Sequence, residues 1–382
     1  MHATTLELTI FTAVALVVAY TWAGYTCILW ALTRIIRRPR TRQDCEQPHI
    51  SIIVACYNEG ARIASKLNDC LALQYPHQKL EILVASDGST DATEQIAEEF
   101  AARDARIRLL RSGGRTGKSG VQNLAAAQAR GDILLFTDAE TQTQPNLLEQ
   151  IAEDFADPRI GLVAPVVQFG RFDDAVSKSQ GFYWRFELLL RQFESDLGIL
   201  ATASGAALAV RRSVFRPIPA EYGDDCIIPL DVCLDGYRVL QDPRCIVSDE
   251  MPHSISGELR VRVRMTARNW SGILSRPALL NPFRFPATAW GLVSHKFLRW
   301  MTPFFLMAML IANAWLAARG RLVPIFFAQC CFYLCALVGW RWSGTQGYRR
   351  AFGYPFAFCL ANLGFLLGIL KSIRGQKIFA YK

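Results

Sequence analysis

No Cys-x-x-Cys pair and no metal-spaced histidine group occurs in the 382 residues, although 11 cysteines and 5 histidines are present. The missing spacings exclude zinc ribbons and fingers, and cysteines scattered this thinly do not make a disulfide framework. Cys56 and Cys70 read as small core residues, and Cys330, Cys331 and Cys335 fall inside an apolar run. Packing in a reduced compartment is their expected use. Internal repeats, low-complexity tracts, an RNP-like aromatic pattern and a helix-turn-helix signal are also lacking. The net charge of +9 therefore does not point to nucleic acid. Much of the excess, Arg34, Arg37, Arg38, Arg40 and Arg42, borders an apolar segment, where it meets anionic headgroups or sets topology.

Charge is absent altogether from Leu8 to Leu32, a run of about 25 residues, enough to cross a hydrocarbon core at ~1.5 Å per residue. Without a basic start or a small-residue cleavage site this is a transmembrane helix and not a signal peptide. The basic cluster follows the span, so the amino end is expected outside and the central domain in the cytoplasm. Phe304–Ala318, Leu322–Trp340 and Pro355–Leu370 are further apolar runs, with Trp300, Trp315, Trp340, Trp342 and Tyr354 near their ends as an aromatic belt. If all three cross, the carboxyl end lies outside, whereas Lys371, Arg374, Lys377 and Lys382 argue for the inside. Ala287–Arg299 mixes apolar and basic residues in the manner of a helix at the membrane surface. The expected division is a transmembrane helix over 1–33, a basic linker over 34–47 and an α/β domain over 48–256. Membrane-interface helices over 257–300 and about three spans over 301–382 complete it. The α/β domain is long enough to bury its own core.

Within that domain apolar strands alternate with helix-spaced segments (Ala61–Leu73, Asp91–Arg103, Gly120–Arg130, Pro145–Phe155), with further strands near Arg106–Leu110 and Gly161–Pro165. Such alternation predicts a mostly parallel sheet covered on both faces. Three strand segments, His49–Glu59, Leu80–Asp91 and Asp132–Glu140, run out into acidic or amide residues. Ligands of open α/β sheets lie beyond the carboxyl ends of the strands, so one site is expected there.

The chemistry-bearing residues follow in order. Tyr57 and Glu59 place a ring and a carboxylate where a base or ribose packs, and Asp87 at the next strand end can read a base edge. Ser89 or Thr90 suits a cap of the following helix, which leaves Asp91 a structural reading. Gly113-Gly-Arg-Thr-Gly-Lys-Ser-Gly120 resembles a P-loop but has Ser112 where the pattern needs glycine. As a glycine-rich turn into a helix, with Lys118 and Arg115, it suits a diphosphate. Asp138 and Glu140, two apart at a strand end, suit one hard divalent cation. Ala203–Phe215 is a small-residue strand that lets a sugar or a packed neighbour come close to backbone. Asp224 and Asp225 are either helix caps or a base with its partner. Arg260–Trp270 reads as an arginine-rich amphipathic helix.

The order and wording of these segments, Ser86-Asp-Gly-Ser-Thr-Asp91 above all, resemble the family 2 glycosyltransferases as far as about Trp270. The resemblance implies a GT-A fold and inverting transfer from a nucleotide-diphosphate sugar, UDP-sugar first. It assigns nucleotide-sugar binding to Tyr57, Glu59, Asp87, Lys118 and Asp138, and a Mg2+ or Mn2+ site to Asp138 and Glu140, the latter standing where the family has a second Asp. Asp225 is implied as the base, with Asp224 beside it. Thr266-Ala-Arg-Asn-Trp270 stands where processive members carry Gln-x-x-Arg-Trp, so Arg268 and Trp270 are implied on the diphosphate and an acceptor sugar. The expected function is formation of a β-linkage on a growing polysaccharide or lipid-linked glycan at a bacterial inner membrane, in exopolysaccharide synthesis, with membrane lipids and an export or assembly partner. Single-sugar transfer to a lipid is the rival enzyme reading. A catalytically inactive scaffold or nucleotide-sensing subunit is the rival of another class.

Overall fold

Uninterrupted β-branched and aliphatic runs become the central strands. In the computed structural model, which describes residues 2–36, 46–169, 175–249, 254–342 and 350–375, β1 (Ile50–Cys56), β2 (Leu80–Ser86) and β4 (Ile133–Asp138) are buried almost throughout. They have no solvent face, as expected of parallel strands covered on both sides. Arg37, Arg38, Arg40, Arg42, Lys377 and Lys382 lie outside the described residues. β3 (Ile107–Arg111), β5 (Gln142–Thr143), β6 (Ile160–Phe169), β7 (Ala207–Arg211) and β8 (Arg238–Asp249) complete an eight-stranded sheet of order β3-β2-β1-β4-β7-β6-β8-β5. The first four neighbours are parallel, and β7 runs antiparallel to both β4 and β6.

The chain winds outward from β1 through β2 to β3, then returns to set β4 on the other side of β1. That reversal opens a crevice at the carboxyl ends of β1 and β4. Cys56 pairs with Ser86 and Ala55 with Asp138, so the residues after all three strand ends emerge at one level. Helices α3 (Ile63–Leu71), α4 (Thr93–Arg103), α5 (Gly117–Gln128) and α6 (Leu147–Phe155) cover the sheet. The helices expected from spacing are present, with ends moved by a few residues. α7 (Ala175–Leu197) and α8 (Asp224–Leu234) flank the far half.

The amino-terminal helix runs as α1 (His2–Ala19), a π turn at Tyr20–Gly24 and α2 (Tyr25–Ile35). At the other end α9 (Ile255–Leu274) leads to α10 (Pro286–Gly291), α11 (Leu298–Ala317), α12 (Val323–Trp342) and α13 (Arg350–Ile373). Among the described residues, four helical stretches are long and apolar enough to cross a membrane: Thr5–Ile35, Pro286–Ala317, Val323–Trp342 and Ala351–Ile373.

The stretch Ala287–Arg299, read above as a surface helix, is continuous with α11 through a π turn at Leu292–Phe297. Its polar residues face protein. His295 is 2% exposed, with Nδ1 2.9 Å from both Glu194 oxygens and Nε2 3.0 and 3.1 Å from those of Glu187. Lys296 and Arg299 also pair with Glu187, at 2.9 and 2.5 Å, and Tyr25 donates to Glu194 at 2.8 Å. Such close charge-assisted bonds offset the desolvation of the two carboxylates and clamp α7 to two of the candidate spans.

α9 lies against α13 where glycine removes the side chain. A Cβ on Gly368 would stand 2.6 Å from Cβ of Thr266, and one on Gly364 would stand 2.9 Å from Cβ of Arg262. Gly368→Leu is therefore expected to destabilise the protein by about 1–3 kcal/mol through overpacking, seen as a lower melting temperature in detergent. Gly113→Ala, which meets nothing within 4 Å, should leave the melting temperature unchanged.

Candidate active site

Three loops at the strand ends are stitched together by side chains. Asn58 takes a left-handed backbone (φ 54°), a conformation that asparagine tolerates, and its Oδ1 accepts the Thr90 N–H at 2.8 Å. The Glu59 N–H donates to Thr93 Oγ1 at 2.8 Å. Asp91 accepts from Thr93 N–H at 3.0 Å and from Gly60 N–H at 2.9 Å. Asp91 thus ties the first loop to the start of α4, and Ala92 stands at the cap of that helix.

Asp87 is 4% exposed and holds the glycine-rich turn. Its Oδ1 accepts from the Thr116 and Gly117 N–H groups at 2.6 and 3.1 Å, and Oδ2 from Gly117 at 3.0 Å. Arg115 Nε stands 3.4 Å from Asp87 Oδ2 while its guanidinium covers the Tyr57 ring at 3.5 Å, a cation–π arrangement. Tyr57, Asp87 and the turn are brought together in this way. Glu59 faces outward toward Arg62 at 3.4 Å.

The turn delivers Lys118 into the crevice. Its Nζ lies 2.6 Å from Asp138 Oδ1, 3.1 Å from Asp224 Oδ2 and 3.3 Å from the Gly205 carbonyl oxygen. Asp138 from β4 and Asp224 from the start of α8 thus share one ammonium. Gln122, one helical turn after Lys118, donates to Asp224 Oδ2 at 2.7 Å. That contact was not anticipated, although spacing of four on one helix puts the two side chains on the same face. Glu140 is 43% exposed and 3.9 Å from Arg62.

The adjacent carboxyls are driven apart electrostatically. Against the cost of burial, Lys118 and the Gln122 hydrogen bond hold Asp224 below the usual carboxylate range. Burial first, and then the Asp224 charge, push Asp225 up. Burial also raises Asp138, with Lys118 opposing. Two titratable neighbours shifted in opposite directions are the arrangement acid–base sites use. The backbone of Ala203 donates to the Asp225 carbonyl at 3.0 Å, and a Cβ on Gly205 would meet only Asp225 within 4 Å. The small-residue segment therefore brings bare backbone to the face of Asp225.

Arg268 on α9 donates to the Tyr222 carbonyl, just ahead of Asp224. Trp270 is spent on packing, its ring centroid 5.0 Å from Phe297 and 6.0 Å from Trp300, at the junction with the membrane helices. Elsewhere, Asp154, Asp242 and Cys245 cluster closely enough for a metal. Arg244 spans that group, 2.7 Å from Asp242 and 3.4 Å from Asp154, which makes it an ion-pair network.

Residues 51–218 match the family model described as Glycosyl transferase family 2. The chain carries a family 2 glycosyltransferase domain. Over 248 residues the chain is 25% identical to an N-acetylglucosaminyltransferase from Sinorhizobium fredii, covering 61% of this chain and 59% of that protein. A poly-beta-1,6-N-acetyl-D-glucosamine synthase from Staphylococcus epidermidis is 26% identical over 223 residues, covering 56% and 53%. A beta-monoglucosyldiacylglycerol synthase from Nostoc sp. is 28% identical over 204 residues, covering 50% and 42%. The chain thus spans about half the length of the curated relatives it matches. The fold of the glycosyltransferase domain and its helices is shared with a mannosyltransferase from Pyrobaculum calidifontis solved with GDP-Man and Mn2+. The TM-score is 0.73 at 21% identity, covering 96% of this chain and 99% of that one. The GT-A fold expected from the sequence is present, with a sheet that is parallel over β3-β2-β1-β4 and mixed beyond β4.

Proposed function

We propose that the chain transfers a sugar from a nucleotide-diphosphate sugar, UDP-sugar first, to a hydroxyl of a growing polysaccharide or lipid-linked glycan, with inversion to a β-linkage, at the cytoplasmic face of a bacterial inner membrane. The observation that carries this reading is the half-buried Asp225 carboxyl, raised in pKa beside Asp224, while Asp224 shares Lys118 with Asp138 at the strand ends. The names of the relatives, two of them concerned with N-acetylglucosamine, support UDP-N-acetylglucosamine as the first donor to try.

Asp225 takes the proton of the acceptor hydroxyl as its oxygen forms a bond to the anomeric carbon. The bond from that carbon to the diphosphate oxygen breaks on the opposite face, and the nucleoside diphosphate leaves with the electron pair. Tyr57, Arg115 and Asp87 border the nucleotide, and Lys118 supplies positive charge to the phosphates. An oxygen-only donor set suits a hard divalent ion. Asp138 and Glu140 would hold it, and Glu140 is exposed enough to turn toward a cation. When bound, the metal neutralises charge on the departing diphosphate.

Transfer of a single sugar to a lipid is favoured over processive synthesis by one feature. The tryptophan of Thr266-Ala-Arg-Asn-Trp270 packs on Phe297 and Trp300. The test is product analysis with the full chain in lipid, radiolabelled UDP-N-acetylglucosamine, UDP-glucose and GDP-mannose, and Mn2+. One donor should be consumed; a long polymer marks a synthase and a single-sugar lipid the second reading. No transfer and no hydrolysis with any donor, despite donor binding, would overturn both in favour of a scaffold.

A further inference from the structure

Arg191 projects from the buried face of α7 and is 3% exposed. Its Nε and Nη2 have no hydrogen-bond partner. The acidic neighbours one helical turn away on either side are engaged elsewhere, Glu187 by His295, Lys296 and Arg299 and Glu194 by His295 and Tyr25. A guanidinium so placed has lost its water and gained no close anion, a cost of several kcal/mol that folded proteins rarely carry without use.

Its surroundings indicate what completes it. α7 runs into the segment whose Ala203 N–H bonds the Asp225 carbonyl, and Arg191 and Asp225 lie close enough to act on each other's charge. Through Glu187 and Glu194, on the same face as Arg191, α7 is clamped to α2 and to the helix bearing His295, both parts of candidate membrane spans. Arg191 therefore lies near both the carboxylate proposed as the base and the candidate spans. The phosphates of a nucleotide-sugar donor are provided for across the crevice, at Lys118 and Asp138. An anion reaching Arg191 belongs instead to the acceptor.

We propose that Arg191 anchors the phosphate of a phosphate-bearing lipid acceptor, holding it so that its hydroxyl meets Asp225. This rests on the glycosyl-transfer reading for the word acceptor, while the anion site stands on the unpartnered guanidinium. The anion is one phosphate group, lipid-borne or free in solution, and the test separates the two.

The full chain is placed in phosphatidylcholine nanodiscs containing either phosphatidylglycerol or diacylglycerol, which both carry a hydroxyl and differ in the phosphate. Lipid retained by the protein is counted by native mass spectrometry. The unaltered protein should retain phosphatidylglycerol in preference to diacylglycerol. Arg191→Gln should reduce that preference on the order of tenfold, and Arg191→Lys should keep most of it, as expected for one charged hydrogen-bonding group. Equal retention of the two lipids, or a preference unchanged in Arg191→Gln, overturns the proposal. Displacement of phosphatidylglycerol by equimolar inorganic phosphate overturns its lipid part. If Arg191→Gln does not fold, Arg191→Met is measured in its place, and an unchanged preference in that variant overturns the proposal. In that case an equal retention of the two lipids by the unaltered protein still decides against the site. Donor hydrolysis by the unaltered protein is measured in parallel. Its failure with the lipid preference intact removes the glycosyl-transfer reading and leaves the anion site standing.

Discussion

Asp225→Asn is expected to lower sugar transfer on the order of 10²–10⁴-fold, the loss typical of a removed general base, with donor affinity little changed. The same substitution should make the protein more stable at neutral pH. Burial and the Asp224 charge raise the folded-state pKa of Asp225 above its unfolded value. Its contribution to stability is therefore fully present below the unfolded pKa and is lost as pH rises through the folded one. Asparagine removes that dependence, so the variant should melt at a higher temperature than the unaltered protein near neutrality, with the gap closing as the medium is acidified. Transfer by the unaltered protein should fall over the same acid range as the base becomes protonated. Melting curves and initial rates taken together from acid to neutral pH check all of this. A variant that transfers at full rate removes Asp225 from the reaction.

The second large effect concerns the ammonium shared by two acids. Lys118→Met leaves Asp138 and Asp224 without the cation that lies 2.6 and 3.1 Å from them. Removing one partner of a buried charge group costs about 3–5 kcal/mol, so a clear fall in melting temperature is expected. Mn2+ should restore part of it, because a divalent ion at Asp138 replaces the missing charge. Adding Asp138→Asn to Lys118→Met should recover stability without metal and abolish the response to Mn2+. An unchanged melting temperature in Lys118→Met would mean that the two carboxyls are solvated and do not depend on the lysine.

What the sequence made legible has a common physical basis. Asp87 and Asp138 come just after the apolar runs Ile82–Ala85 and Ile133–Phe136, and a buried strand that ends in a carboxylate marks the rim of an open sheet. The charge-free run from Leu8 was equally plain, because hydrocarbon admits little else. Contacts that join distant segments stayed hidden. Gln122 meets Asp224 across 102 positions of chain, and neither residue type announces the pairing. His295, Lys296 and Arg299 gave Ala287–Arg299 a basic face suited to lipid headgroups. In the fold that face meets Glu187 and Glu194, more than a hundred residues earlier. Periodicity records that a helix has a charged side and does not record what the side is turned toward. Arg191 lies on α7, a helix that the spacing argument does not include.

The glycine-mediated seat of α9 on α13 ties the domain to a candidate membrane span. α9 holds Arg268 beneath Tyr222 on one side and touches Gly364 and Gly368 on the other. The tilt of a spanning helix adjusts to the thickness of the hydrocarbon around it. With α13 as a spanning helix, one wall of the crevice rides on an element whose angle the lipid helps to set, and membrane thickness is expected to act on the proposed transfer in the way that temperature or pH does.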